Sequence, residues 1–537
     1  MIKKCFRGLA LCMLALGFLA APAPAFHDGD DDAAAMAPVF QSPTVPPAIN
    51  SDLAFWGDRA YAGNYGGFRI FNIANPAAPV QLVDFKCDGP QNDPVVYQNK
   101  LLFLAVDRTM EGPECGSDRS AEHDDPDGWE GVRIFDVSNP AAPRQIKNVY
   151  TDCGAHTITL YPKNPAQIML YVSSYPLRPG PTCGEKRGPE SGNSPLHEKI
   201  SVIRVPVNNP EAAKVVAEPK ISYPGDDDNK FDPDDHGLQG FGDLTACHDI
   251  GVFVELGLAA GACAEQAQLW RVKPNGVPDT EHPLWVYDDV VDETGTTGDP
   301  ADTGVVVDFW HSATFSWDGK VVNFIDESFG DGCPPITPAP GATAEQAGDT
   351  GRMFFLDTAS GSKLSHYMIP RPEPGAYCSA HLGNVVRAAD KRLLVNAWYM
   401  GGADVIDFTD PANPKEIAFY DRAPAGPTGS DNWSAYWYEG PSLSNDTLTL
   451  YGTDGVHNPA TGMGFQVFEA AIDADEQPLP YLNPQTQETL LGSTAGKPKG
   501  GKKSGKKSER ARAGRAQRVS RPGSRQAVRQ RAAHLAP

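Results

Sequence analysis

This sequence of 537 residues predicts an all-β fold of stacked, four-stranded sheets, and three observations carry that reading. One phrase recurs: Gly67-Phe68-Arg69-Ile70-Phe71-Asn72-Ile73 running into Asn75-Pro76-Ala77-Ala78-Pro79. It returns as Gly131-Val132-Arg133-Ile134-Phe135-Asp136-Val137 into Asn139-Pro140, and as Gly402-Ala403-Asp404-Val405-Ile406-Asp407-Phe408 into Asp410-Pro411. Each copy is a β-branched and aromatic run of the kind that suits a pleated sheet. Each ends at an Asn/Asp-Pro turn, where proline removes a ladder donor and biases its predecessor away from helix. No long amphipathic helical pattern appears outside the N-terminal segment.

The elements follow in order. In the first copy a strand over Arg59 to Tyr65 precedes the phrase and another over Val80 to Phe85 follows it. Gln145 to Tyr150 and Glu416 to Tyr420 follow the other copies, and Leu393 to Met400 precedes the third. Degenerate copies lie at Ile203 to Pro210, Gln268 to Val272, Met353 to Thr358 and Gly464 to Phe468. That places seven units near residues 51, 95, 155, 247, 310, 380 and 434. A four-stranded sheet cannot bury both faces alone, whereas sheets stacked around an axis can. The fold class expected is therefore a β-propeller of seven four-stranded blades. Six or eight blades, or a pair of sandwiches, stay open as alternatives. The last unit lacks a clear fourth strand, and residues 36–48 are available to supply one.

The repeated phrase resembles the LVIVD repeat of secreted and surface β-propeller proteins of bacteria and archaea, over roughly residues 50–470. The resemblance implies a propeller and no particular reaction, because function sits in sites rather than folds.

The ends read differently. Three cations in Met1 to Arg7, an apolar stretch from Leu9 to Ala21 and Ala23-Pro24-Ala25 form a secretory signal with cleavage before Phe26. The expected organisation is 1–25 signal peptide, 26–49 N-terminal segment, 50–472 propeller, 473–496 linker and 497–537 basic tail. No transmembrane segment remains after cleavage. The tail holds fourteen Lys/Arg and one acid, a balance of +13, so residues 1–496 carry −35 of the whole chain's −22. With few bulky apolar residues it cannot bury enough surface to fold. It is suited to an anionic envelope polymer, a lipid headgroup or nucleic acid, or to solvent alone. Eight cysteines remain after cleavage, and an even number in an exported chain argues for disulfides. Nearest-neighbour pairing gives Cys87–Cys115, Cys153–Cys183, Cys247–Cys263 and Cys333–Cys378. The expected location is the periplasm, the cell envelope or the exterior.

Candidate chemistry lies at the start of the blades. His156, His248, His311 and His381 open four consecutive units, where the first strand of a propeller blade lines the channel. Four equivalent imidazoles form a candidate transition-metal site, since neutral imidazole suits Zn, Cu, Fe and Ni. The layout is similar to that of carotenoid-cleaving oxygenases and the selenium-binding proteins, without their motifs. The alternative is that the histidines are structural, copied with the repeat. Asp249 is placed to orient His248, and Asp93 and Glu439 are placed to complete a polar ring at the channel mouth. Acidic loops at Asp124, Asp125 and Asp127, at Asp226 to Asp235 and at Asp299 to Gly304 are candidates for Ca²⁺ or for plain solvation. There is no nucleophile elbow, phosphate loop, zincin helix or dinucleotide fingerprint. Two functions stand against each other. One is an exported module binding a protein or glycan with its loops; the other is a metal-binding protein or metalloenzyme with histidines around the axis.

Overall fold

The computed structural model describes residues 32–42, 48–174, 176, 180–183, 197–224, 246–264, 266–287, 307, 309–327, 351–371, 378–422, 430–439, 447–456 and 463–488. Among the described residues, six sheets make seven four-stranded antiparallel blades of a β-propeller, the sixth and seventh blades being joined into one nine-stranded sheet by the pair Leu382–Ser434. Their innermost strands are Asn50–Trp56, Gln91–Tyr97, Thr157–Asn164, Asp249–Phe253, Trp310–Phe315, Ser379–Val385 and Asn432–Trp437. The predicted positions 51, 95, 310, 380 and 434 fall on these strands, and 155 and 247 fall just before theirs. The repeated phrase forms the third strand of its blade, as in Gly67–Asn72, Gly131 within Trp129–Asp136, and Gly402–Asp407. The core lies between blades, where Trp270, Trp310, Trp398 and Trp437 are wholly buried.

The glycine that opens each copy has a backbone reason. Gly67, Gly131 and Gly402 have φ of 145°, 138° and 80°. A Cβ there would stand 2.0, 2.3 and 2.2 Å from a carbonyl oxygen of the neighbouring outer strand. The arginine at the third position of the first two copies is also structural. Arg69 and Arg133 are buried. Arg133 donates to the carbonyls of Pro113 at 2.9 Å and Asp88 at 2.6 Å, and Arg69 donates to the Asn50 side chain.

Both ends of the described chain are built into the ring. Met36–Gln41 pairs antiparallel with Gly464–Ala470 and is the fourth strand of the seventh blade, while Asp32–Ala34 extends the sixth blade beyond Lys415–Asp421. The stretch expected as a linker from residue 473 is a correction. From Asp475 to Gln487 it is a strap that meets every blade at the far end of the inner strands. Ala389 N–H donates to Asp475 O, and Trp437 Nε1 to Glu476 Oε2 at 2.9 Å. Leu482 pairs with Phe55, and Asn483 brackets Val96 with both halves of its amide. Thr486 Oγ1 donates to Leu160 O, Thr486–Gln487 pairs parallel with Val252 and Phe253, and Gln487 brackets Phe315. The physical reason is that inner strands present unpaired backbone groups to the axis, and buried groups of that kind must find partners. Asn483, Gln485, Thr486 and Gln487 supply them.

Candidate metal centre

The four histidines arrive at the axis by two devices. In blades three and four they stand just before the inner strand. His156 N–H donates to Ser173 O and His248 N–H to Ala262 O, both at 2.8 Å. A disulfide sits immediately upstream of each: Cys153–Cys183 and Cys247–Cys263. In blades five and six the histidine lies inside a register shift of the inner strand, between Trp310 and Ser312 and between Ala380 and Gly383. A bulge of this kind re-aims a side chain out of the strand's alternation.

All four are buried, His311 completely. Ring centroids step around the axis at 4.4 Å from His156 to His248, 3.7 Å to His311 and 4.2 Å to His381. The Nε2 atoms of His156 and His248 are 2.8 Å apart. Glu327 joins them, its carboxylate 3.6 Å from His311 Nε2 and 3.8 Å from His381 Nε2. Donor atoms of His248, His311 and Glu327 all lie within 4.8 Å of one another. The outer nitrogens are held from behind. His156 Nδ1 is 2.6 Å from Asp107 Oδ2, and His381 Nδ1 is 2.5 Å from Trp433 O. A carbonyl can only accept, so His381 carries a proton on Nδ1 and turns Nε2 toward Glu327. Tyr399 stacks on His381 at 4.4 Å and hydrogen-bonds Glu327.

Burial sets the charge states. It holds His248 and His311 well below the usual imidazole range, and the neighbouring imidazoles add to that, so both rings are neutral. Burial also pushes the Glu327 carboxyl up to about 8. Neither ring nitrogen of His311 has a hydrogen-bond partner.

Asp107 and Glu327 were not singled out in the sequence. Both lie at the channel-mouth end of a second strand, in or just after Leu101–Met110 and Val321–Asp326. The available signal was an acid at the end of the strand paired with a channel-lining strand.

The proposed supporting acids are placed elsewhere. Asp249 does not orient His248. Its Oδ1 accepts from Ile250 N–H at 2.7 Å and lies 3.5 Å from Thr157 Oγ1. It shares the axis with Asp52 and Asp93, and Asp93 accepts from Ile158 N–H at 3.1 Å. Inner-strand alternation sends Asp249 to a different level from its neighbour His248. Burial raises Asp52 to about 6 and Asp249 to about 7, and raises Asp93 well above the carboxylate range. Glu439 belongs to no ring with the histidines; it hydrogen-bonds Glu476 of the strap, its carboxyl raised by burial.

Three disulfides join the expected partners, Cys87–Cys115, Cys153–Cys183 and Cys247–Cys263. Cys378 is also disulfide-bonded, while Cys333 lies outside the described residues. Of the acidic loops only Asp124, Asp125 and Asp127 are described; Asp125 caps its own turn, accepting from Ser120 Oγ at 2.7 Å and from Asp127 N–H. The loops at 226–235 and 299–304 (apart from these), the signal segment and the basic tail lie outside the described residues. No described helix is long and apolar enough to cross a membrane.

No protein-family model matches the chain, and no curated protein matches it. Solved structures do. A protein from Lactobacillus plantarum matches at 11% identity and a TM-score of 0.43, over 81% of this chain and 100% of that one. The Dos1 propeller matches at 8% and 0.40, over 81% and 84%. The periplasmic gluconolactonase PpgL of Pseudomonas aeruginosa matches at 11% and 0.42, over 81% and 99%. The likeness is one of fold, and the chain is a β-propeller.

Proposed function

We propose that this chain is an exported metal-binding propeller. It would hold one transition-metal ion at the axis with His156, His248, His311 and His381 and with Glu327. The observation that carries the reading is His311: a wholly buried imidazole whose two nitrogens have no hydrogen-bond partner, aimed among three more imidazoles and a carboxylate. Leaving buried donors and acceptors unmade costs about 1–3 kcal/mol each, and a bound cation removes that cost.

The distances suit a shared ion. Two donors about 2.0–2.2 Å from one metal stand about 2.8–3.6 Å apart for angles from square to tetrahedral. The contacts of 2.8, 3.6 and 3.8 Å lie at or just beyond that range. Imidazole-rich sites favour Zn, Cu, Fe or Ni over Mg and Ca. When bound, the ion would supply Lewis-acid or one-electron chemistry. The chain's own residues would do the rest: Asp107 and Trp433 O fix two rings from behind, and Tyr399 braces Glu327. Buried, neutral rings arrive ready to bind. Export fits the disulfides, which persist in oxidising compartments, and the LVIVD-type repeat. The rival reading, a binding module, rests on the long connections and the basic tail, which fall largely outside the described residues.

The test is elemental analysis of protein purified from the periplasm or medium. About one equivalent of a transition metal is expected, lost in His311→Ala and in Glu327→Gln. Less than about a tenth of an equivalent in the wild type, unchanged in the variants, refutes the reading.

A further inference from the structure

The donors of the proposed ion occupy one arc of the ring, and the opposite arc carries a tyrosine that the reading above does not use. His156, His248, His311 and His381 belong to blades three to six, and Glu327 to blade five. Tyr65 stands just after Arg59–Asn64, the second strand of blade one. Register puts it at the level of the residues that support the histidines. Arg59, Leu101, Val321 and Leu393 pair with Asn72, Asp136, Asp357 and Asp407, the last residues of the third strands of their blades. Six residues on from these four stand Tyr65, Asp107, Glu327 and Tyr399. Asp107 holds His156, Glu327 lies between His311 and His381, and Tyr399 stacks on His381.

Contacts carry Tyr65 to the same centre from the other side. Its ring meets Trp433 at 6.4 Å, and Trp433 meets His381 at 5.0 Å. Its hydroxyl feels the charges of both Asp107 of blade two and Glu327 of blade five, the second of these across the channel. The Gln91 side chain hydrogen-bonds the phenol and favours its charged form, as a donor does, so the amide N–H points at the phenol oxygen and the O–H is left to give. The backbone is fixed on both sides: Tyr65 N–H donates to Ile49 O at 2.9 Å, and Tyr65 O accepts from Gly89 N–H at 3.2 Å. This is also the accessible side of the centre. Tyr65 is only partly buried and the Asp107 side chain is 24% exposed, against 0% for His311 and 8% for Glu327.

Five protein donors leave a six-coordinate ion one further position. Resting on the metal-binding reading above, we propose that this position opens toward blade one and takes a small anion, with the Tyr65 hydroxyl as its hydrogen-bond donor. The chemistry of the donor selects the class. A metal-bound amine or imidazole nitrogen has given its lone pair to the ion, whereas hydroxide, azide or a carboxylate keeps one to accept from a phenol. Hydrogen bonds to an anion are the strong ones, and here the donor is held in place before the ligand arrives.

The experiment is an azide titration of full-length protein stripped of metal and reloaded with Co²⁺, followed by the visible absorption of the cobalt. The wild type should show a saturable spectral change. Tyr65→Phe keeps the ring against Trp433, so cobalt stoichiometry, cobalt affinity and circular dichroism should stay as in the wild type. Its azide affinity should fall at least about tenfold, as for a lost hydrogen bond to a charged group. Cobalt bound by the wild type with a spectrum that azide leaves unchanged overturns the open position while leaving the metal centre standing. Equal azide affinity in the wild type and Tyr65→Phe overturns the role of the hydroxyl. Failure of the wild type to bind cobalt refutes the metal centre itself, and the anion position with it.

Discussion

Replacing Asn483 by alanine asks whether the strap is part of the fold. Asn483 is wholly buried. Its Oδ1 accepts from Val96 N–H at 2.7 Å and its Nδ2 donates to Val96 O at 3.0 Å. Val96 lies on an inner strand, with no further strand beyond it toward the axis. Alanine leaves one buried N–H and one buried C=O unmade, at about 1–3 kcal/mol each. Some relaxation or water entry offsets part of this, so a loss of about 2–4 kcal/mol is expected. Unfolding entropy of about 2.1 cal/mol/K per residue over a ring of about 430 residues makes that a Tm drop of about 2–5 °C. Differential scanning calorimetry measures it. Asn483→Asp should be at least as damaging, because a carboxylate accepts from Val96 N–H but confronts Val96 O with a second acceptor. A change below about 0.5 kcal/mol in both variants, the range of ordinary surface substitutions, would refute the argument and return the strap to the status of a linker.

Other consequences follow from the same geometry. Burial, then Asp107 and Asp152, raises Glu130 to about 8. A carboxyl raised in the folded state contributes stability that is complete below its unfolded value near 4.5 and is lost as pH rises through about 8. Glu130→Gln should therefore flatten the fall in Tm between pH 5 and pH 9 at about those limits, and an unchanged slope counts against it. Gly131→Ala would place a Cβ 2.3 Å from Val149 O at a φ of 138°, so a loss of more than about 1 kcal/mol in chemical denaturation is expected.

The ring was legible in the sequence because the third strand repeats. Gly67, Gly131 and Gly402 mark a backbone conformation that only glycine adopts without strain, and the Asn/Asp-Pro turn marks the strand's end. The histidine positions were legible because the repeat fixes register. Glu327 and Asp107 were hidden because each lies at the end of a second strand, Asp107 49 residues from His156, and strand spacing does not show which residues meet across the sheet. The strap was hidden for another reason: Asn483, Gln485 and Gln487 look like the polar composition of a linker. The side chains of Asn483 and Gln487 and the backbone carbonyl of Gln485 do the work that a neighbouring strand would do, and no periodicity records that.

The two ways of presenting the histidines carry a consequence of their own. His311 is held by a bulge within a ladder, so its position depends on the sheet. His156 and His248 stand at the edge of the ladder, just before the inner strand and after Cys153 and Cys247 of two disulfides. Cys153 and Gly154 take φ of 59° and 73°, and the Gly154 carbonyl accepts from Thr151 Oγ1 and Ser174 Oγ, so this turn delivers His156 to Asp107. Removing the Cys153–Cys183 bridge should then act on the metal centre before it acts on the fold. Cys153→Ala/Cys183→Ala frees a closed loop of about 30 residues, worth about 3.6 kcal/mol of chain entropy in the unfolded state, which a ring of seven blades tolerates. Transition-metal affinity should fall at least tenfold while circular dichroism stays native, because one of five donors loses its support. A variant that binds metal as tightly as the wild type but melts earlier would show that the bridge serves the blade alone, and that the turn at Gly154 holds His156 unaided.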